Sequence, residues 1–434
     1  MGNLSDRLAA AAFILSAVAL AGLYGVVAGR WGWFPSAQIA LAEQTISDLS
    51  SHWKNDLGLE PTRHLVEART VGRKPGDDGF RVHAPGAAAP GFVLVAGLSP
   101  DQDVSFHAVT LYDTEGRQVH RWPVDYAMID PDGLKPRNVM LHGLEVFEDG
   151  SLAVTFDAGN VLARIDACGR PMWTRDGAFH HSVTADGEGG LWAWRDHDIV
   201  RLDAETGEVT YTLSLERQIL TANGQEGVFT VRTFADDGKA VRYEADPFHT
   251  NDVEPLRRDM ADAFPMFEPG DLLISLREAN LVAVVEPSEG RLRWWRHGPW
   301  HKQHDPDFQP DGTISVYDNR TGIGPSRILR VAPATGDIST VLEGTEQAPF
   351  YSWQRGKHQF LPNGNILVTE AERGRVFEAS PEGDLIWERD LVWDADRNLV
   401  VTEARHLPPG FFMDGVPSCD GPMTVSAAAV PTEQ

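Results

Sequence analysis

The stretch His301–Asp305, HKQHD, puts two histidines and an aspartate at the head of what otherwise reads as a plain β-hairpin turning at Asp311-Gly312. A structural hairpin needs none of them. Four other histidines stand comparably. His142 and His181 precede Gly150 and Gly189 by eight residues, the interval from His304 to Gly312. His358 precedes Gly364 by six, and His249 precedes Gly270 across an insertion containing RRDMADAF. The strands after these turns end near Asp157, Arg195, Arg277, Asn319 and Glu370. Clustered imidazoles have three uses: binding a metal, with Asp252 and Asp305 completing the site; acid–base catalysis near neutral pH; or nucleophilic attack, with a nearby arginine neutralising the anionic group attacked. Spacing alone leaves all three open. For any one histidine the plainer alternative is a ring packed between strands with its nitrogens bonded to backbone.

The elements that position these residues follow from a second repeat. A polar residue plus glycine recurs at Glu115-Gly116, Cys168-Gly169, Thr206-Gly207, Glu289-Gly290, Thr335-Gly336 and Glu382-Gly383, between period-two strands that often end in tryptophan. Six units at about 53 residues each match four-stranded blades. The fold class expected is therefore all-β: a six-bladed β-propeller preceded by an N-terminal transmembrane helix and a short helical stalk. Equivalent positions in successive blades lie at one radius, so the histidines are expected at one mouth of the central channel. Trp122, Trp173 and Trp387 are expected in the blade core. LDAETGEV resembles the blade repeat of quinone-dependent dehydrogenases, but those carry eight units rather than six.

The chain has 434 residues and a formal charge of −25, which argues against nucleic acid as a partner, since neutralising phosphates takes a surplus of Lys and Arg. It is uncharged from Leu8 to Gly29, about 33 Å as a helix, and Trp31, Trp33 and Phe34 follow as an interfacial cluster. This predicts a single-pass membrane anchor with the C-terminal bulk exported, a cleaved signal peptide being the alternative. The boundaries expected are 1–35 for the anchor, 36–89 for a juxtamembrane helix and linker, 90–404 for the propeller and 405–434 for a tail. The tail's FFMDGVPSC is expected to fold back over a channel mouth. The only two cysteines, Cys168 and Cys419, fit no metal-ligand spacing. Export would allow them to pair; a reducing compartment would leave two thiols.

Four segments carry a resemblance to a known family: GFVLVAGLSPDQDVSFHAVTLYDTEGRQVHRW, HTNDVE through GDLLISLREANLVAVVEPSEGRLRWWRHG, QHDPDFQPDGTISVYDN, and HQFLPNGNILVTEAERGRVFEASPEG. In this order, over about residues 90–395, the chain resembles the bacterial arylsulfotransferases. The resemblance implies a six-bladed propeller that moves a sulfuryl group from an aryl sulfate to a phenolic acceptor through a sulfated histidine. It implies no nucleotide sulfate donor, no cofactor and no metal. Its catalytic positions map to His249 in HTND, His304 in QHD, Arg320 as the sulfate-gripping arginine and His358 as the attacking histidine. His142, His181, Arg277, Asn319 and Arg327 are expected to line the substrate site, with Arg327 competing for the role of Arg320. A second expectation comes from a different class: a membrane-anchored propeller that binds a protein partner or a glycan, in a larger membrane assembly, and catalyses nothing.

Overall fold

The computed structural model describes residues 4–31, 62, 64–99, 107–221, 224–229 and 246–419. The chain divides into two compact units, Met1–Arg63 and His64–Gln434. Among the described residues the first contains one helix, Leu4–Trp31, rich in Ala and Leu and free of proline. Its window Ala11–Ala28 has a mean hydropathy of 2.2 and is long and apolar enough to cross a membrane. Phe13, Leu15, Leu20 and Val26 all stand exposed, so the helix is apolar around its circumference, as a membrane span or a signal sequence is. The stalk expected beyond it falls largely outside the described residues.

The second unit is a six-bladed propeller. Blade 1 consists of Val401–Leu407, Phe92–Leu98, His107–Asp113 and Gln118–Pro123. Blade 2 runs from Met140–Val146 through Leu152–Asp157 and Val161–Ile165 to Pro171–Asp176, and blade 3 from Phe179–Ala185 through Gly190–Arg195 and Asp198–Asp203 to Val209–Ser214. Blade 4 is Thr250–Pro255, Leu272–Leu276, Leu281–Glu286 and Arg291–His297; blade 5 is His304–Phe308, Ile314–Asp318, Arg327–Val331 and Ile338–Glu343. Blade 6 is Lys357–Phe360, Ile366–Glu370, Arg375–Ala379 and Leu385–Asp390, with Phe80–Val82 added as a fifth, outer strand. The first strands of successive blades touch in a closed ring. Closure comes from the C-terminal strand Val401–Leu407, which pairs antiparallel with Phe92–Leu98. That strand runs past residue 404, and Phe80–Val82 precedes residue 90, so both ends of the propeller extend beyond the span read from sequence.

Blades stack face to face, so the middle strands are buried on both sides and read as unbroken apolar runs such as LLISL and LVAVVE. Alternate residues serve alternate neighbours: Leu272, Ile274 and Leu276 join the core shared with blade 3, and Leu273 the core shared with blade 5. The six glycine turns of the sequence repeat are the third-to-fourth hairpins, one per blade, each glycine at positive φ. Trp122 and Trp173 donate from Nε1 to Gly150 O at 2.8 Å and Ala204 O at 3.1 Å, each clamping its blade to a turn of the next.

Candidate functional site

The first strand of each blade starts at one face of the ring, which fixes the level of every residue along it. Five of the six first strands carry a β-bulge, between Leu141 and Leu144, His180 and Val183, Thr250 and Asp252, His304 and Asp307, and Val401 and Glu403. A bulge re-aims the side chains of its extra residues; here His142 and His181 are among them. His181 and His249 are held in the left-handed region, at φ 59 and 47, a conformation unusual for any residue but glycine.

At this face the structure brings His142, His181, His249, His304 and Arg277 together. Ring centroids are 4.4 Å apart for His142 and His181, and 5.1 Å for His181 and His249. His249 is oriented from both sides: Nδ1 lies 2.5 Å from Asp246 Oδ2, and Arg277 Nη1 is 3.0 Å from Nε2. His304 Nδ1 lies 2.8 Å from Asn319 Oδ1. Arg277 Nε and His142 Nδ1 are buried with no hydrogen-bond partner. Burial pushes His142 down to about 3, with Arg355 and Lys357 adding to the effect. His304 is held well below the usual imidazole range by burial, with Arg277, His249 and His142 contributing and the Asn319 hydrogen bond opposing. His181 is lowered by burial and by its histidine neighbours. At neutral pH these three rings are neutral, with lone pairs available for bonding.

The other sequence candidates lie elsewhere. His358 belongs to the one first strand that pairs regularly, through His358 and Val368. Without a bulge, the position eight residues before Gly364 is Gly356, and His358 sits two residues deeper, about 7 Å along the strand. Its side chain is fully buried, with Nδ1 2.9 Å from Asp305 Oδ2 and Nε2 2.8 Å from Ser315 Oγ. The order Asp305–His358–Ser315 is that of a hydrolase triad, but Ser315 is fully buried. Both imidazole nitrogens are committed to the contact between blades 5 and 6. Arg320 pairs with Glu343 at 2.5 Å, and Arg327 with Asp318 at 2.8 Å. Of the arginines beside the histidines, Arg277 pairs through Nη2 with Glu278 at 3.2 Å and Arg355 with Asp157 at 3.1 Å. Asp246, His180 and Arg355 escaped the sequence reading. The His180-His181 pair and an aspartate three residues before His249 were the available signals.

Deeper in the ring, Asp252, Glu254, Asp305, Asp307, Lys357, His358, Glu403 and Arg405 line a cavity of about 330 Å³. Lys357 Nζ is 2.9 Å from Asp305 and 3.5 Å from Asp252. Burial and neighbouring carboxylates push Asp252 up to about 6 and Glu254 up to about 8. Burial also raises Asp307, while Lys357 and His358 outweigh burial at Asp305 and hold it low. On the outer side of blade 2, Cys168 and Cys419 form a disulfide that fastens the segment after Leu407. FFMDGVPSC therefore lies along blades 1 and 2, with Met413 N donating to Glu148 O, at the ends of the first strands away from the histidines.

The fold and site define a β-propeller with a histidine-lined channel mouth. The family model for Arylsulfotransferase (ASST) matches residues 143–391, and the chain belongs to that family. No curated protein matches it. Among solved structures, a protein of unknown function from Bacteroides caccae is similar at 12% identity, TM-score 0.48, covering 73% of this chain and 98% of that one. A streptogramin B lyase is similar at 14% identity, TM-score 0.42, covering 73% and 88%. The WD40 β-propeller domain of Doa1 is similar at 15% identity, TM-score 0.41, covering 78% and 95%.

Proposed function

We propose that this chain transfers a sulfuryl group from an aryl sulfate to a phenolic acceptor, without a nucleotide donor, at the histidine-lined mouth. The observation that carries this reading is the grouping of His142, His181, His249 and His304 at one face with Arg277, whose buried Nε has no partner, within a chain of this family. The electrophile is anionic and the leaving phenolate stable, so the protein must chiefly supply positive charge, alignment and a proton carrier. Arg277 supplies the charge. His249, backed by Asp246, takes the acceptor's proton, as a carboxylate-oriented imidazole does. The N-terminal helix serves as a single inner-membrane anchor with the propeller on the periplasmic side; a disulfide in the propeller fits that oxidising compartment.

A second reading, a membrane-anchored propeller that binds a protein partner or glycan without turnover, is favoured by the locked nitrogens of His358. The two separate on incubation of the full chain in detergent with 4-nitrophenyl sulfate and phenol. Formation of phenyl sulfate, one for each nitrophenolate released, is expected. A folded protein that forms none would leave the binding propeller.

A further inference from the structure

Resting on that reading, we propose that His304 Nε2, rather than a nitrogen of His358, is the atom that carries the sulfuryl group, and that Asn319 is its positioning residue. The hydrogen-bond network around Asn319 fixes the tautomer. Asn319 Nδ2 donates to two backbone carbonyls, Ser352 O at 2.7 Å and Arg355 O at 2.8 Å. The other amide atom, 2.8 Å from His304 Nδ1, is therefore the oxygen, an acceptor. Lys302 O, 3.2 Å from the same nitrogen, is a second acceptor. Nδ1 must carry the ring proton, which leaves the lone pair on Nε2.

His142 has a buried Nδ1 with no hydrogen-bond partner among the described residues, so nothing there fixes its tautomer. His249 Nε2 accepts from Arg277, and its Nδ1 faces Asp246. His180 Nε2 donates to Asp196 O at 3.0 Å, so His180 Nδ1 accepts from His181 Nδ1–H at 2.7 Å, which leaves His181 with an open Nε2 as well. His358 has both nitrogens engaged. His304 combines an Nδ1–H fixed by two acceptors, one of them an amide itself anchored by two carbonyls, with an Nε2 that has no hydrogen-bond partner among the described residues. It differs from His181 in the charge that acts on it: Arg277 leads at His304, whereas only other histidines act on His181. Burial keeps it neutral, as a nitrogen nucleophile must be.

The steps balance as follows. The Nε2 lone pair attacks sulfur, the Nε2–S bond forms, and the ester S–O bond breaks with its electron pair leaving on the aryl oxygen as a phenolate. The ring becomes an N-sulfo-imidazolium whose Nδ1–H remains on Asn319 Oδ1. Arg277, drawn to the sulfuryl oxygens, releases His249 Nε2. The acceptor phenol gives its proton to that nitrogen as its oxygen attacks sulfur. The Nε2–S bond then breaks, returning the lone pair to His304, and His249 passes the proton to the first phenolate or to solvent.

The test is to incubate the full chain with 4-nitrophenyl sulfate without acceptor, quench in base, digest and locate the added sulfuryl mass. It is expected on His304, to disappear when phenol is added, and to be absent in His304→Ala. Label on His358, His249 or His181 in a protein that transfers sulfuryl groups overturns this assignment and leaves the sulfotransferase reading standing. Absence of both label and transfer overturns both. Asn319→Ala is expected to slow label formation about a hundredfold with little change in KM. Asn319→Asp is expected to restore part of the rate and to move the pH profile upward, because a carboxylate raises the pKa of the imidazole it faces. A merely structural Asn319 would give a pH profile that neither variant moves.

Discussion

The ring closes through the last strand of the described propeller, and a disulfide fastens the segment beyond it. Val401–Leu407 is the first strand of blade 1, and beyond it Phe412 packs 6.4 Å from Trp122 in the core between blades 1 and 2. Cys419 then bonds Cys168 across 251 residues of sequence. Cross-linking so long a loop removes conformational freedom from the unfolded chain worth about 5.5 kcal/mol on the chain-entropy relation. For a protein of this size that corresponds to a midpoint change of about 7 °C. Cys168→Ser with Cys419→Ser should therefore melt about 7 °C below the oxidised protein, followed by circular dichroism in detergent. The wild type in reductant should fall to the same midpoint, and reductant should not change the double variant. Equal midpoints for oxidised and reduced wild type would refute the idea that this bond secures the ring closure.

Four further outcomes are expected. Glu254 has its pKa raised to about 8 from an ordinary 4.5, so the folded chain holds a proton that the unfolded chain has released. Stability should fall as pH rises through that window, by up to about 1.4 kcal/mol per unit. Glu254→Gln should flatten the urea midpoint against pH between those values; an unchanged slope would contradict it. Gly356 has φ +147, and a Cβ there would lie 2.2 Å from the Tyr317 ring, so Gly356→Ala should cost about 2–4 kcal/mol in chemical denaturation. Phe412→Ala, opening the core beside Trp122, should cost about 3–5 kcal/mol by the same measurement. Asp246→Asn should lower kcat for transfer about a hundredfold with KM nearly constant, since it removes the carboxylate that supports His249 as proton carrier; a change in KM alone would contradict that role.

Much of the architecture was legible because glycine turns recur, one third-to-fourth hairpin in every blade and one first-to-second hairpin in blades 2 to 6. The six polar-Gly dipeptides mark the third-to-fourth hairpins, and Gly150, Gly189, Gly270, Gly312 and Gly364 mark the first-to-second ones. The level of the histidines was legible only where the bulge was shared. His142, His181 and His304 have the same eight-residue interval and a bulged strand; His358 has six and a regular one, which carries it below the mouth. Bulges leave no composition signal, so sequence spacing placed all five in one layer. The arginines illustrate a second limit. Arg320 and Arg327 stand beside the YDN stretch, yet each meets a carboxylate: Arg320 meets Glu343 from the fourth strand of blade 5, and Arg327 meets Asp318, the aspartate of YDN itself. Arg277 was visible as a strand end, but its approach to His249 depends on the left-handed backbone at that histidine. The long closure through Val401–Leu407 pairs the two ends of the propeller, a relation that local patterning does not encode.

Sulfuryl transfer through a histidine is a two-step reaction, and stopped-flow release of nitrophenolate tests it most directly. The full chain mixed with excess 4-nitrophenyl sulfate and no acceptor should give a burst of one nitrophenolate per protein, then near-arrest, then steady turnover once phenol is added. A folded protein that gives no burst and no acceleration with phenol would contradict the assignment of this mouth as a sulfuryl-transfer site.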